Sequence, residues 1–298
     1  MQALRRLDIL LTHRFAMLVV FGVFSFCAVA TGAIVCALSG VTTALWMLNL
    51  AGWVAGTLAA VLVAKAFRPA MLHVALWLAP FGLLASFFSP AQEGVHRWID
   101  AGPLHFNAAM LLLPSASVAL AVLAQRQIWI WIAPFASLIL LLLQPDASQA
   151  TTLAVVMVAI AAATSARPLL RVGIIVGAVA LATLAWSRPD PLQPIPEVEG
   201  IVGLAYGLSP LLAVAALALL VLTAISADMV MRYHRLTSRT GAWVLSLCFL
   251  GWIATTYFGA FPTPWVGIGL SPIVGAWLGV GLLAGACRNG AARHSAKL

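Results

Sequence analysis

Apolar residues run almost unbroken for 15 to 28 positions at a time along this chain, and the polar residues gather in short clusters between the runs. Backbone groups in lipid must bond within their own segment or within a closed barrel. Runs this long without period-two alternation therefore predict membrane-crossing helices. Ten are predicted, over 15–39, 41–64, 70–88, 107–124, 128–143, 150–166, 169–187, 200–227, 241–259 and 273–287. Two connections are irregular. Residues 188–199, RPDPLQPIPEVE, carry too much proline for a helix, and 261–272, FPTPWVGIGLSP, reads as a re-entrant segment. The densest polar cluster is 89–106, SPAQEGVHRWIDAGPLHF, with two acids, two histidines and Arg97 between nearly uncharged runs. It reads either as a solvated loop or as an anion-binding site at a membrane surface.

Composition fixes the class. With 63% hydrophobic and 8% charged residues and a mean hydropathy of +1.06, the 298 residues predict an all-α polytopic membrane protein. About ten transmembrane helices form one bundle and a single domain, 1–298. The net charge of +8 suggests nucleic acid until its placement is examined. With the N-terminus inside, fourteen of the sixteen basic residues fall in inner segments, from Arg5, Arg6 and Arg14 to Arg288, Arg293 and Lys297. Arg97 and Arg188 alone fall outside. The bias marks topology: both termini are predicted to be cytoplasmic, and nucleic acid is excluded as a partner. Ala28-Val29-Ala30 has the small-x-small look of a cleavage site, but the apolar run continues past it, as in an uncleaved anchor.

The acids are distributed the other way. Glu93, Asp100, Asp146, Asp190, Glu197 and Glu199 fall outside, Asp8 and Asp228 inside. Insertion does not require this, so an outward site using carboxylates is one reading and ordinary loop charge the other; a divalent cation, Mg2+ or Mn2+, is the candidate cofactor. Cys27, Cys36, Cys248 and Cys287 all lie in apolar runs without a C-x-x-C pair, which argues against a metal or redox centre. Hardly any ionisable residue stands mid-helix, which argues against ion-coupled transport. Pro80, Pro114, Pro134 and Pro210 fall inside predicted helices as candidate kinks. Trp46, Trp129, Trp131, Trp186 and Trp243 fall near helix ends, as interfacial anchors do.

Several of these clusters match motifs in order. Gly94-x-x-Arg97-Trp98-Ile99-x-x-Gly102-Pro103-Leu104-x-Phe106 resembles the loop between helices three and four of the SEDS family, the RodA/FtsW/SpoVE type. Gln144-Pro145-Asp146 resembles that family's turn between helices five and six. Pro196-Glu197 is similar to its segment opening helix eight, and Pro262-Thr263 to its loop before helix ten. The resemblance implies a multi-pass protein of the bacterial inner membrane acting in cell division or cell shape. Its members polymerise lipid II, an undecaprenyl-pyrophosphate disaccharide, into peptidoglycan beside a class B penicillin-binding protein. Arg97, Trp98, Asp100, Gln144 and Asp146 are then candidate substrate-binding residues, with Arg97 suited to pyrophosphate oxygens.

The departures bear on catalysis. Met110 and Leu113 stand where the family has an acid and a lysine, and Ile201 stands at the position of its catalytic aspartate. Isoleucine cannot accept a proton. Glu199 and Glu197, two and four residues earlier, are the candidate bases. Three readings follow: a glycosyltransferase using Glu199 or Glu197, a non-catalytic relative that binds the lipid-linked sugar or a partner in wall synthesis, and a flippase of the same lipid.

Overall fold

A computed structural model describes residues 2–124, 127–164, 167–231 and 236–295, with side chains described at 15–124, 127–164, 167–231 and 239–287. Arg126, Arg232, Arg235 and Lys297 of the charge pattern lie outside the described residues, and the side chains of Arg5, Arg6, Arg14, Arg288 and Arg293 lie outside the described side chains.

The fold is an all-α membrane bundle. In chain order its helices are α1 (Gln2–Leu38), α2 (Thr43–Ala66), α3 (Ala70–Ser86), α4 (Ala108–Leu123), α5 (Ile132–Leu143), α6 (Ala147–Thr164), α7 (Pro168–Trp186), α8 (Ile201–Leu208), α9 (Pro210–Met231), α10 (Leu236–Thr255) and α11 (Leu270–Ser295). A 3-10 turn, Ile128–Trp131, leads into α5. Among the described residues six segments are long and apolar enough to cross a membrane: Phe15–Leu38, Thr43–Ala66, Ala147–Thr164, Pro168–Trp186, Pro210–Met231 and Leu270–Cys287. Ala70–Ser86, Ala108–Leu123 and Ile128–Leu143 are apolar but shorter. At the centre, α11 packs on α2 and α4, α1 on α9, and α10 on α4, α6 and α9.

The structure corrects three expectations. The run 200–227 is not one helix. Ser209 is extended (φ −164°, ψ 130°) and separates α8 from α9, because Pro210 has no amide hydrogen and crowds the residue before it out of helical geometry. The ninth and tenth helices run 236–255 and 270–295 instead of 241–259 and 273–287. The third difference lies in 89–106, a connection for which no strand was predicted and which holds a short hairpin. Trp98–Ala101 (β1) pairs antiparallel with Leu104–Asn107 (β2). Gly102, at φ 64°, supplies the left-handed conformation a two-residue hairpin turn requires, and Pro103 follows it. The pairs are Trp98 with Asn107 and Asp100 with His105, so these four side chains project from one face of the ribbon.

Four connections meet at the hairpin end of the bundle, the end predicted to face outward. Asn107 caps α4, its Oδ1 accepting from the Met110 amide at 2.9 Å. Asp146 caps α6 in the same way through the Gln149 amide at 3.1 Å. The segment 259–269 is pinned from two sides. Asn49 of α2 donates to the Gly267 carbonyl and accepts from the Gly269 amide, both at 2.9 Å. From the other side, the Thr263 amide donates to Val198 and the Ile268 amide to Glu197.

Close helix approach depends on small residues. A Cβ added at Gly275 of α11 would stand 2.1 Å from the Met110 carbonyl oxygen and 2.8 Å from Leu111 Cα, both in the backbone of α4. A rigid backbone cannot rotate aside, so Gly275→Val is expected to cost about 1–3 kcal/mol or more. Thermal unfolding in detergent checks this; an unchanged midpoint would contradict the α4–α11 contact.

Candidate functional site

Arg97 organises the hairpin end of the bundle. It stands one residue before β1 and is 5% exposed, so its guanidinium must find partners inside the protein. Nε donates to the Gln144 carbonyl at 3.4 Å and lies 3.8 Å from Asp146 Oδ2. Nη2 donates to the Pro145 carbonyl and to Asp190 Oδ2, the latter at 2.7 Å. One buried cation thus gathers the α5–α6 corner and the proline-rich segment between α7 and α8.

A narrow cleft opens beside it. Arg97, Trp98, Asn107, Met110, Asp146, Ser148, Gln149, Leu192, Gln193, Glu199, Ala260 and Pro262 line it. Its free volume is about 30 Å3, room for a few water-sized groups at most. The polar floor is held firmly: Gln149 Oε1 accepts from Trp252 Nε1 at 2.8 Å. Glu199 reaches the cleft from the turn before α8, where its carbonyl accepts from Thr263 Oγ1 at 3.1 Å and its carboxylate from the Ile195 amide at 2.7 Å.

The electrostatics follow from this crowding. Burial pushes the Asp146 carboxyl above the ordinary carboxylate range; Arg97 and the Gln149 amide oppose the shift, and Asp190 adds to it. Burial also raises Glu199, opposed by the Ile195 amide and reinforced by Asp190 and Glu197. A half-buried carboxylate with a raised pKa is the kind of group that takes a proton from a hydroxyl near neutral pH.

The structure brings Arg97, Trp98, Asp146 and Glu199 of the sequence-predicted residues to one cleft. Asp100 lies further out on the hairpin, bonded to His105 Nδ1 at 2.6 Å. The Gln144 side chain turns into the bundle and donates to the Leu83 carbonyl at 3.0 Å and to Ser86 Oγ at 2.6 Å. Glu197 engages the 259–269 segment through its carbonyl and is not among the residues lining the cleft. Ile201 is fully buried at the start of α8. Sequence reasoning placed Asp190 among the outer acids but not in the site. The spacing of 93 residues from Arg97 hid that pairing, and a lone acid in a proline-rich loop was its only signal.

The donor set does not by itself fit a divalent ion. Among the described residues no three His, Cys, Asp or Glu side chains are placed to hold a metal, and the Arg97 guanidinium stands against the Asp146 and Asp190 carboxylates. A second concavity of about 420 Å3 lies between α1, α2 and α11, walled by Phe15, Val19, Val23, Phe26, Trp53 and Trp277. It faces the half of α1 away from the cleft, since Gly32 already meets the Val266 carbonyl of the 259–269 segment. Its walls suit a hydrocarbon chain.

No protein-family model matches this sequence, and no curated protein matches it. Solved structures do. The rod shape determining protein RodA of Thermus thermophilus is 20% identical, with a TM-score of 0.56 over 90% of this chain and 96% of that one. A mutant of the same protein is 21% identical, with a TM-score of 0.59 over the same shares. A chain from a peptidoglycan synthase complex, solved to describe how polymerization and crosslinking are coordinated, is 18% identical, with a TM-score of 0.59 over 90% of this chain and 97% of that one. At these identities the likeness establishes the fold: the bundle described above is the RodA fold nearly end to end.

Proposed function

We propose that this protein is a divergent SEDS-type protein of peptidoglycan synthesis that binds a polyprenyl-pyrophosphate sugar of the lipid II type and transfers it by glycosyl transfer. One observation carries the reading: Arg97, Asp146 and Glu199, from three distant parts of the chain, meet in a single cleft at one end of a RodA fold. Arg97 pairs with the pyrophosphate oxygens of the donor. The hydroxyl of an acceptor sugar attacks the donor's anomeric carbon, the bond from that carbon to pyrophosphate breaks, and Glu199 takes the hydroxyl proton. Polyprenyl pyrophosphate leaves with the electron pair, its charge held by Arg97. The polyprenyl chain lies in the lipid, against apolar helix faces. A bacterial inner-membrane location and a class B penicillin-binding protein partner belong to the same proposal.

Burial of Ile201, where the resemblance puts the catalytic acid, favours a second reading: a relative that binds the lipid-linked sugar without polymerising it. The pH dependence of turnover separates the two. Glu199 must be ionised to act, and its carboxyl is raised, so it stays protonated to a higher pH than a free glutamate, whose pKa is about 4.3. Product formation is therefore expected to fall, as pH is lowered, through a midpoint above that value. Initial rates of glycan formation from labelled lipid II across the acid range test this. A midpoint at or below the free-glutamate value contradicts Glu199 as the base. Saturable lipid II binding with no product at any pH supports the non-catalytic reading.

A further inference from the structure

The Arg97 site already holds an oxyanion, and it belongs to this chain. Asp190 Oδ2 receives a hydrogen bond from Nη2 at 2.7 Å, the geometry a phosphate oxygen would adopt there. The same segment walls the cleft, since Leu192 and Gln193 line it, and Asp190 Oδ1 stiffens the turn by accepting from the Leu192 amide at 3.3 Å. We propose that Asp190 is a positioning residue that latches the 188–193 stretch against the cleft, and that the pyrophosphate of the substrate opens it by displacing Asp190 from Arg97.

Space and charge both favour such an exchange. About 30 Å3 admits a few waters at most, so a pyrophosphate enters only if the lining moves, and Leu192 and Gln193 stand on the stretch that Asp190 holds. In the closed arrangement three carboxylates, Asp146, Asp190 and Glu199, surround the single guanidinium among the described residues lining or bonded within the cleft. A polyanion approaching that set is repelled. Once Asp190 withdraws, the charge-assisted bond it gave up is remade to a phosphate oxygen, so the exchange loses little in hydrogen bonding. Glu199, nine residues on, is held apart from this movement: its carbonyl accepts from Thr263 Oγ1 and the Val198 carbonyl from the Thr263 amide, so the candidate base stays in place while the 188–193 stretch opens.

The latch rests on the reading of the cleft as a pyrophosphate site, and the test separates the two. Inorganic pyrophosphate and a lipid-linked disaccharide pyrophosphate are titrated onto purified wild-type protein, Asp190→Asn and Arg97→Lys. Removing the competing charge raises the fraction of binding-competent protein, so Asp190→Asn is expected to tighten the apparent Kd for both probes by about tenfold or more. A merely structural role for Asp190 would not give tighter binding. In a second measurement Asp190 stays native: Leu192→Cys, at a half-buried position of the same stretch, is labelled with a membrane-impermeant maleimide, and pyrophosphate is expected to speed the labelling. Equal or weaker binding by Asp190→Asn, with binding still dependent on Arg97, overturns the latch and leaves the site. Unchanged labelling of Leu192→Cys at saturating pyrophosphate likewise overturns it. Binding of neither probe to wild type or Asp190→Asn overturns the site reading and the latch together.

Discussion

Arg97→Ala is expected to lower stability by about 3–5 kcal/mol and to abolish pyrophosphate binding. Deleting one partner of a buried ion pair leaves the other charge uncompensated in a low-dielectric setting, and that loss is larger than the net contribution of the pair. Here the side chains of Arg97 and Asp146 are 5% and 4% exposed, so water cannot take over the missing contacts. The Gln144 and Pro145 carbonyls lose their donor as well. The sign of the pH dependence is diagnostic. Asp146 is already raised by burial, and without Arg97, which opposes the shift, its folded-state pKa climbs further above the unfolded value. The ionised form is the one the folded state disfavours, so the deficit is greatest at neutral pH and shrinks as pH falls and Asp146 protonates. Thermal unfolding of wild type and variant in detergent at neutral and acidic pH reads this directly. An equal deficit at both pH values would mean that Arg97 acts through packing alone.

Glu199→Gln is expected to reduce glycan formation by about 10²–10⁴-fold while leaving lipid II binding in place. The amide keeps the shape of the side chain, and its Oε1 still accepts from the Ile195 amide, so the turn before α8 is preserved. Only the capacity to take a proton is lost. Glu197→Gln is expected to change rate far less, because Glu197 is not among the residues lining the cleft and its structural bond runs through the main-chain carbonyl. A variant pair in which Glu197→Gln is dead and Glu199→Gln active would reverse the assignment.

Much of this fold was legible in the sequence because lipid allows so few solutions. A backbone in hydrocarbon must be helical or closed into a barrel, and the uninterrupted runs excluded the barrel, so element type and order followed from hydropathy. What hydropathy could not carry was local geometry. Ser209-Pro210 lies within one apolar run, and whether proline kinks or breaks a helix depends on neighbours that can satisfy the freed groups. The β1–β2 hairpin was hidden because a four-residue strand has too few positions to display alternation; Gly102-Pro103 was its one turn signal. In the site, Arg97, Asp146 and Glu199 could each be named, since charge between apolar runs stands out. Their meeting could not be seen. The Arg97–Asp190 bond spans 93 residues and depends on how α5 packs against both α3 and α7, which a pattern along one chain does not encode. The side chains of Asp100 and Gln144 looked equivalent to Asp146 in sequence, but β register and helix phase turned one outward to His105 and the other inward to α3.

The most direct measurement of the central claim is size separation of products from labelled lipid II, given to purified protein with Mg2+ or Mn2+ and with a class B penicillin-binding partner. A ladder of glycan chains is expected from wild type and none from Glu199→Gln, which still binds the lipid. A ladder of equal intensity from Glu199→Gln, or none from wild type that binds lipid II saturably, would contradict Glu199-dependent polymerisation.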